Sequence, residues 1–349
     1  MRKIRLAVSD AFLDFSYRGQ YYTKYGVTVP SQKSGRFMRK VLFYRDYRGF
    51  TGGHLKVWDY YNHVRSSPDF TPLIHFSPQS VWDRTNPWIS ERDLVQESWE
   101  PENSDIIFLG GLDWQILDCN KAKSYQKPII NLIQNVRHAD LNDVRYEYLI
   151  NKAIRICVSN DIYHALLSNP HINGPIFVIQ ACLEFNSFPK TNASDKRKIN
   201  ILIAGLKKPE LAKILEERLK SKNINIKTLT APVPRREFLD LMNISKITIF
   251  LPNVTEGLHL PPLEGMRLGT FVICPDVPGV RDVCKDKYNC FSPKYNIDEI
   301  IDSLRKALNL PNNERNALLS NAKITTESFE LETERKAFVN ILNGANELW

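Results

Sequence analysis

No Cys-x-x-Cys pair occurs in this chain of 349 residues. Its six cysteines, Cys119, Cys157, Cys182, Cys274, Cys284 and Cys290, are scattered, most of them in apolar runs such as RICVSN and FVICPD. That spacing argues against a disulfide scaffold or a zinc site and predicts buried, reduced thiols. No run of about 18 uninterrupted apolar residues is present, so no membrane span is expected. The opening stretch MRKIRLAVSDAFLDF is basic but lacks both a long apolar core and a small-residue cleavage site. It does not read as a secretory signal, and a cytoplasmic location is expected. Short-period repeats and low-complexity tracts are also missing.

What is present is an ordinary globular balance, with 43% hydrophobic and 25% charged residues. At this length, two domains with a core each are expected. The formal net charge of +8 is unevenly placed: residues 1–48 carry eleven Lys/Arg and three acids, and bases and acids balance in the rest. The same end is rich in aromatics, including Tyr17, Tyr21, Tyr22, Tyr25 and Phe37. A localised basic patch suits an anionic partner such as lipid headgroups or a phosphorylated acceptor; the bland reading is a solvated basic face. Nucleic acid is disfavoured, because no recognition motif accompanies the charge.

Apolar runs alternate with helix-like stretches. KVLFYRD (40–46), TPLIHFS, SDIIFLGG (104–111), KPIINLIQ (127–134), AIRICVSN and GPIFVIQ read as strands, with a helix from His54 to about Val64. These runs lack strict alternation, as expected for strands buried on both faces of a parallel, doubly wound sheet. The polar stretch NSFPKTNASDKRK (186–198) reads as a linker. A second series then begins with INILIAG (199–205) and runs through INIKTLT, KITIFLP (246–252) and GTFVICPD (269–276), with helices between them. The C-terminal 24 residues read as one helix. The expected organisation is therefore an extension at 1–39, an α/β domain at 40–185, the linker, a second α/β domain at 199–325 and a terminal helix at 326–349. Ligands of such sheets bind outside the carboxyl ends of the strands, and two sheets face to face create a cleft.

The segment 250–283, FLPNVTEGLHLPPLEGMRLGTFVICPDVPGVRDV, is the most informative. A buried strand ends at Pro252, and a loop follows with Glu256 and Gly257. Pro261 and Pro262 stand where a helix would start. The free N–H groups of that first turn predict an anion site, with the Glu264 carboxylate beside it.

This segment resembles the signature of retaining GT-B glycosyltransferases, in particular glycosyltransferase family four. That family carries two glutamates with seven residues between them, in a frame like E-G-F-G-L-P-x-L-E-A-M-A-x-G. Here the frame is met by Glu256, Gly257, Leu260, Pro261, Leu263, Glu264, Met266 and Gly269, and PDVPGVRDV matches the loop that follows. The resemblance implies two facing Rossmann-like domains, with the C-terminal helix crossing back to the first. It implies that Glu264 holds the ribose hydroxyls of a nucleotide sugar. Glu256 then contacts the donor sugar and supports the reacting centre, while the backbone of Gly257, Leu258 and His259 approaches the diphosphate and sugar. His259 stands where the family has a small Gly, so its side chain either tunes sugar choice or points aside.

Other landmarks are weaker. Relatives place Arg and Lys after the first strand of the second domain to neutralise the diphosphate. AGLKKPE offers Lys207 and Lys208 but no Arg, and one of the two lysines is expected to take the phosphate. Arg235 and Arg236 lie near the base-reading position of relatives but read as solvated helix-start charges. In the first domain RGFTGGHLK is similar to the family's Gly-rich loop, so Gly52 and Gly53 are expected to let the backbone approach the donor. His54 reads as a helix-start polar group or an acceptor contact. Relatives often have a His after the fourth strand; Gln134 occupies that place, and His138, four residues later, is the catalytic candidate.

The implied activity is transfer of a sugar from a nucleoside-diphosphate donor to a hydroxyl of a glycan or glycolipid acceptor, as in bacterial polysaccharide assembly. Retention of anomeric configuration and a hexosyl donor come with the resemblance. No Asp-x-Asp triplet occurs, and neither a metal nor another cofactor is expected. The basic N-terminus is expected to make peripheral contact with the inner membrane surface or the acceptor. The alternatives are a non-catalytic nucleotide-sugar-binding module on the same scaffold and another GT-B enzyme such as a nucleotide-sugar epimerase.

Overall fold

Strand β1 (Arg39–Arg45) is followed by helix α1 (Gly52–Arg65), where the Thr51 side chain caps the free N–H of the third residue, His54. Strands β2 (Phe70–Phe76), β3 (Ile106–Gly110), β4 (Ile129–Ile133) and β5 (Ile154–Cys157), helix α2 (Asn160–Leu167) and strand β6 (Ile176–Val178) complete the first half. The computed structural model describes residues 38–117, 126–220 and 224–349. The expected N-terminal extension therefore lies outside the described residues apart from its last two positions, and Arg39 already belongs to β1.

The strands form one parallel sheet in the order β2-β1-β3-β4-β5-β6. On β3, Ile106 and Phe108 face one core while Ile107 and Leu109 face the other, which explains the unbroken apolar run. A second parallel sheet, in the order β10-β9-β7-β8, is built from β7 (Ile199–Ala204), α3 (Pro209–Leu219), β8 (Ile226–Leu229), α4 (Arg235–Asn243), β9 (Ser245–Phe250), α5 (Pro261–Leu268) and β10 (Phe271–Ile273). It too is covered on both faces, with Leu202 in one cluster and Ile201 and Ile203 in the other. The helices α6 (Ile297–Leu308), α7 (Asn312–Glu327) and α8 (Leu331–Asn343) follow.

The chain passes between the sheets twice, side by side. Leu183 N–H donates to the Phe329 carbonyl at 3.0 Å, and Leu331 N–H donates to the Leu183 carbonyl at 3.1 Å. This pairing corrects the single terminal helix expected over 326–349. At the break the Phe329 carbonyl and the Leu331 N–H turn to Leu183, while the Ser328 and Phe329 N–H groups still donate back to Thr325 and Thr326.

Beyond the break, α8 returns to the first sheet, as expected, and Phe338 packs edge-on against Tyr60 of α1 with ring centroids 4.6 Å apart. Glu334 is 1% exposed and accepts from Lys56 Nζ (2.8 Å), His63 Nε2 (3.0 Å) and the Cys182 backbone N–H (2.6 Å). Burial alone would raise this carboxyl, but Lys56 and the His63 hydrogen bond hold it below the usual range. The segment read as a polar linker is docked. Arg197 is buried and donates to the carbonyls of Ser245 and Leu268 at 2.8 and 2.6 Å. By their contacts, residues 38–349 hold together as one compact unit. The five described cysteines are buried free thiols; Cys119 lies outside the described residues.

Candidate functional site

In each sheet the strand order reverses at one point, and the crevice at its carboxyl edge is the natural ligand position. In the second sheet that point lies between β7 and β9, and Lys207 after β7 meets Glu256 after β9 there as an ion pair. Glu256 Oε2 also accepts from His259 Nδ1 at 2.9 Å, and Oε1 accepts from the Asn253 N–H at 2.8 Å. Burial raises the Glu256 carboxyl. The His259 hydrogen bond and the Lys207 ammonium outweigh it and bring the group down to about 2. Glu256 is thus an ionised acceptor with both oxygens engaged and room for a further donor, suited to hold groups in place and unsuited to take up a proton.

His259 is 5% exposed, so its side chain does not point out to solvent. Burial keeps its pKa below the ordinary imidazole value, against the pull of Glu256. Since the carboxylate can only accept, Nδ1 carries the ring proton. Lys207 Nζ, 3.5 Å from that nitrogen, is therefore a neighbouring charge and not its hydrogen-bond donor. Lys208 takes the N-cap position of α3 and makes no ion pair among the described residues. The structure thus separates the two lysines.

Glu264 lies in the first turn of α5, is 3% exposed and accepts from Arg235 Nη1 at 2.7 Å. Arg235 is the first residue of α4, and its guanidinium also stands over the Phe188 ring at 5.8 Å. Arg235 is exposed, as a helix-start charge is, and in addition it is the partner of Glu264. Arg236 is also at the surface, paired with Asp240 one turn on. The anion site expected at the start of α5 is also reduced. Two of its first positions are Pro261 and Pro262, which have no N–H.

The loop carrying Glu256 presses against the first half of the chain. A Cβ on Gly257 would stand 2.4 Å from the Gln134 carbonyl and 2.7 Å from Asn135 Cα, so only glycine fits. A Cβ on Gly279 would come 2.5 Å from the Glu256 carbonyl, and that same glycine's carbonyl accepts the His259 N–H. Ser159 Oγ donates to the Gly257 carbonyl, and Asp282 accepts from both the backbone and side-chain amides of Asn160 at 2.9 and 3.0 Å. Leu258 packs its side chain into the first sheet's core, which leaves only its backbone for a donor.

On the opposite wall, Gly52 and Gly53 are the first two residues of α1, where N–H groups have no partner within the helix. A Cβ on Gly52 would meet nothing within 4 Å. Gln134 Nε2 donates to the Gly53 carbonyl at 3.3 Å, so this residue touches both walls.

His138 lies one layer behind, 2% exposed, with Nδ1 donating to the Asn135 carbonyl at 3.0 Å. Burial brings its pKa down to about 4. It supports the 134–136 backbone, which in turn bridges Glu256. Among the described residues no cluster of His, Cys, Asp and Glu is arranged to hold a metal ion, and no helix is long and apolar enough to cross a membrane.

Two Rossmann-like sheets joined at a double crossing, with a terminal helix returned to the first, define the GT-B fold. Sucrose-phosphate synthase from Thermosynechococcus elongatus shares it, with 10% identity, 87% of this chain and 98% of that chain covered, and a TM-score of 0.67. So does a glycosyltransferase from Rickettsia africae, with 15% identity, coverage of 88% and 98% and a TM-score of 0.63. The Anabaena protein HepE, solved in complex with UDP-glucose, has 11% identity, coverage of 88% and 100% and a TM-score of 0.68. No curated protein sequence matches the chain. Residues 183–325 match the family model of glycosyl transferases group 1.

Proposed function

We propose that the chain is a retaining glycosyltransferase resembling family four, which moves a hexosyl group from a nucleoside-diphosphate sugar to a hydroxyl of a glycan or glycolipid acceptor. The observation that carries this reading is the pair of engaged glutamates. Within the group 1 domain, Glu256–Lys207 and Glu264–Arg235 stand on the same carboxyl edge of one sheet. Glu264, its carboxylate held by Arg235, has a lobe for ribose hydroxyls. Lys207 is half-exposed and can turn its ammonium to the diphosphate, stabilising the leaving group with a charge already in place. Glu256, ionised at neutral pH, accepts sugar hydroxyls and balances positive charge developing at the anomeric carbon. Contacts through Gly257, Ser159 and Asn160 hold the two walls together and order the acceptor against the donor. HepE, with the same fold, is solved with UDP-glucose, which makes a UDP-sugar the first donor to test. Contact of the basic N-terminal residues with a membrane surface belongs to the same proposal.

The test is calorimetric titration with UDP, GDP, ADP, dTDP and CMP, comparing wild type with Glu264→Ala. Selective binding of one nucleotide, lost in the variant, is expected. Binding of none would remove the donor site from the reading.

A further inference from the structure

A second buried charge cluster sits at the switch point of the first sheet, between the loops after β1 and β3. Arg45 Nη1 donates to Asp113 Oδ2 at 2.7 Å, and Arg45 Nη2 donates to His54 Nδ1 at 2.8 Å. Asp113 Oδ2 also accepts the Gly110 N–H at 2.9 Å. A guanidinium has no lone pair to offer, so Nδ1 of His54 must be the acceptor and the ring proton resides on Nε2. The Tyr47 ring packs against the imidazole at 4.7 Å, and Thr51 accepts from the His54 backbone N–H. The ring is 9% exposed and held on several sides, yet Nε2 has no partner among the described residues. Nε2 is not sealed from solvent, so its fixed N–H is a donor that a ligand can reach.

The place of His54 in the chain points to that ligand. His54 directly follows Gly53, whose carbonyl accepts from Gln134, and the Gln134 carbonyl lies against Gly257 beside Glu256. One residue's width therefore separates the start of α1 from the loop that carries Glu256. We propose that His54 is a sugar-binding residue, whose fixed Nε2–H donates to an oxygen of the transferred sugar from the first-domain wall. The inference rests on the glycosyltransferase reading above. Burial, aided by Arg45, brings the imidazole down to about 4, so the ring is neutral at pH 7. With Nδ1 covered by Arg45 and Nε2 already protonated, it cannot serve as a base; it recognises and does not take a proton.

The experiment compares each nucleoside diphosphate with its sugar-bearing form, using UDP and UDP-glucose, GDP and GDP-mannose, and dTDP and dTDP-glucose. Wild type, His54→Phe and His54→Gln are titrated by calorimetry. For the pair that wild type binds, His54→Phe is expected to lose roughly tenfold of the affinity contributed by the sugar, the worth of one neutral hydrogen bond. Binding of the bare diphosphate should stay unchanged. His54→Gln, which retains an N–H donor at a similar reach, should recover most of the loss. An unchanged ratio in His54→Phe overturns the proposal while leaving the donor site standing. Failure of wild type to bind any of the three diphosphates overturns the donor site itself, and this inference with it. Nitrogen-15 NMR of the unliganded wild type gives an independent reading. An Nε2–H tautomer between pH 6 and 8 is expected, and an Nδ1–H or charged ring there overturns the proposal.

Discussion

The hydroxyl of Ser159 donates a 2.7 Å hydrogen bond to the carbonyl of Gly257, joining the loop after β5 to the loop that carries Glu256. Ser159 also caps α2, so one side chain fixes a helix start and an interdomain contact. Ser159→Ala should loosen the contact, costing on the order of 1 kcal/mol of stability through the lost cap. Gly257→Ala should act more strongly, because its Cβ overlaps the Gln134 carbonyl. A fall in turnover with nucleotide affinity retained, measured by steady-state kinetics beside calorimetry, is the expected pattern.

Arg235→Met should weaken nucleotide binding even though the methionine matches much of the side chain's bulk. It strands the nearly buried Glu264 carboxylate without its cation. A loss of about tenfold is expected in calorimetric titration, in line with a charged hydrogen bond. Equal affinity for both proteins would place Arg235 outside the nucleotide site.

Lys207→Met removes the charge proposed for the leaving diphosphate. Turnover should fall on the order of 100-fold, comparable to loss of one preorganised electrostatic donor. Lys208→Met, at the N-cap of α3, should change turnover far less. The reverse ranking would reassign the phosphate role.

Glu334→Ala should destabilise the whole unit, by about 3 kcal/mol, since it leaves Lys56 and His63 buried with one acid fewer. Thermal unfolding is the measurement. Glu332→Ala, in the same helix turn but paired at the surface with Arg335, should leave the midpoint nearly unchanged.

The buried, neutral His138 gives stability a pH dependence. Its folded pKa is about 4, against 6.5 for a free imidazole, so the unfolded chain binds the extra proton first. The stability it contributes is fully present above about pH 6.5 and is lost as pH falls towards 4. The slope should approach about 1.4 kcal/mol per pH unit within that window. His138→Phe should flatten this part of a denaturation series run from pH 7 to 4.5.

The strands were legible because a strand covered on both faces needs a nearly unbroken apolar run; β3 is one, and β4 is interrupted only by Asn131. Glu256 and Glu264 were legible because the strand–loop–helix frame around them resembles the family-four signature. Their partners were not. Lys207 reaches Glu256 from a different strand, and Arg235 reaches Glu264 from a different helix, so no spacing in the sequence joins them. The Arg45–His54–Asp113 cluster escaped for the same reason, its members coming from three separate elements. Glu334 reads as one acid on a charged helix, and only the return of α8 to α1 makes it buried. The start of α5 misled in the other direction: its two prolines announce a helix start and at the same time remove the amides an anion would use.

Because Phe338, Ile341, Leu342 and Ala345 belong to the same core cluster as Val41, Phe43 and Tyr60, the first sheet has an uncovered seam while the second half is still being synthesised. On the ribosome the earliest strands must wait, partly bare, for some of the latest residues to emerge. Translation and folding therefore finish out of step: the half of the protein made first is the half sealed last, and a chain stopped after Phe329 would carry a covered second sheet beside an open first one.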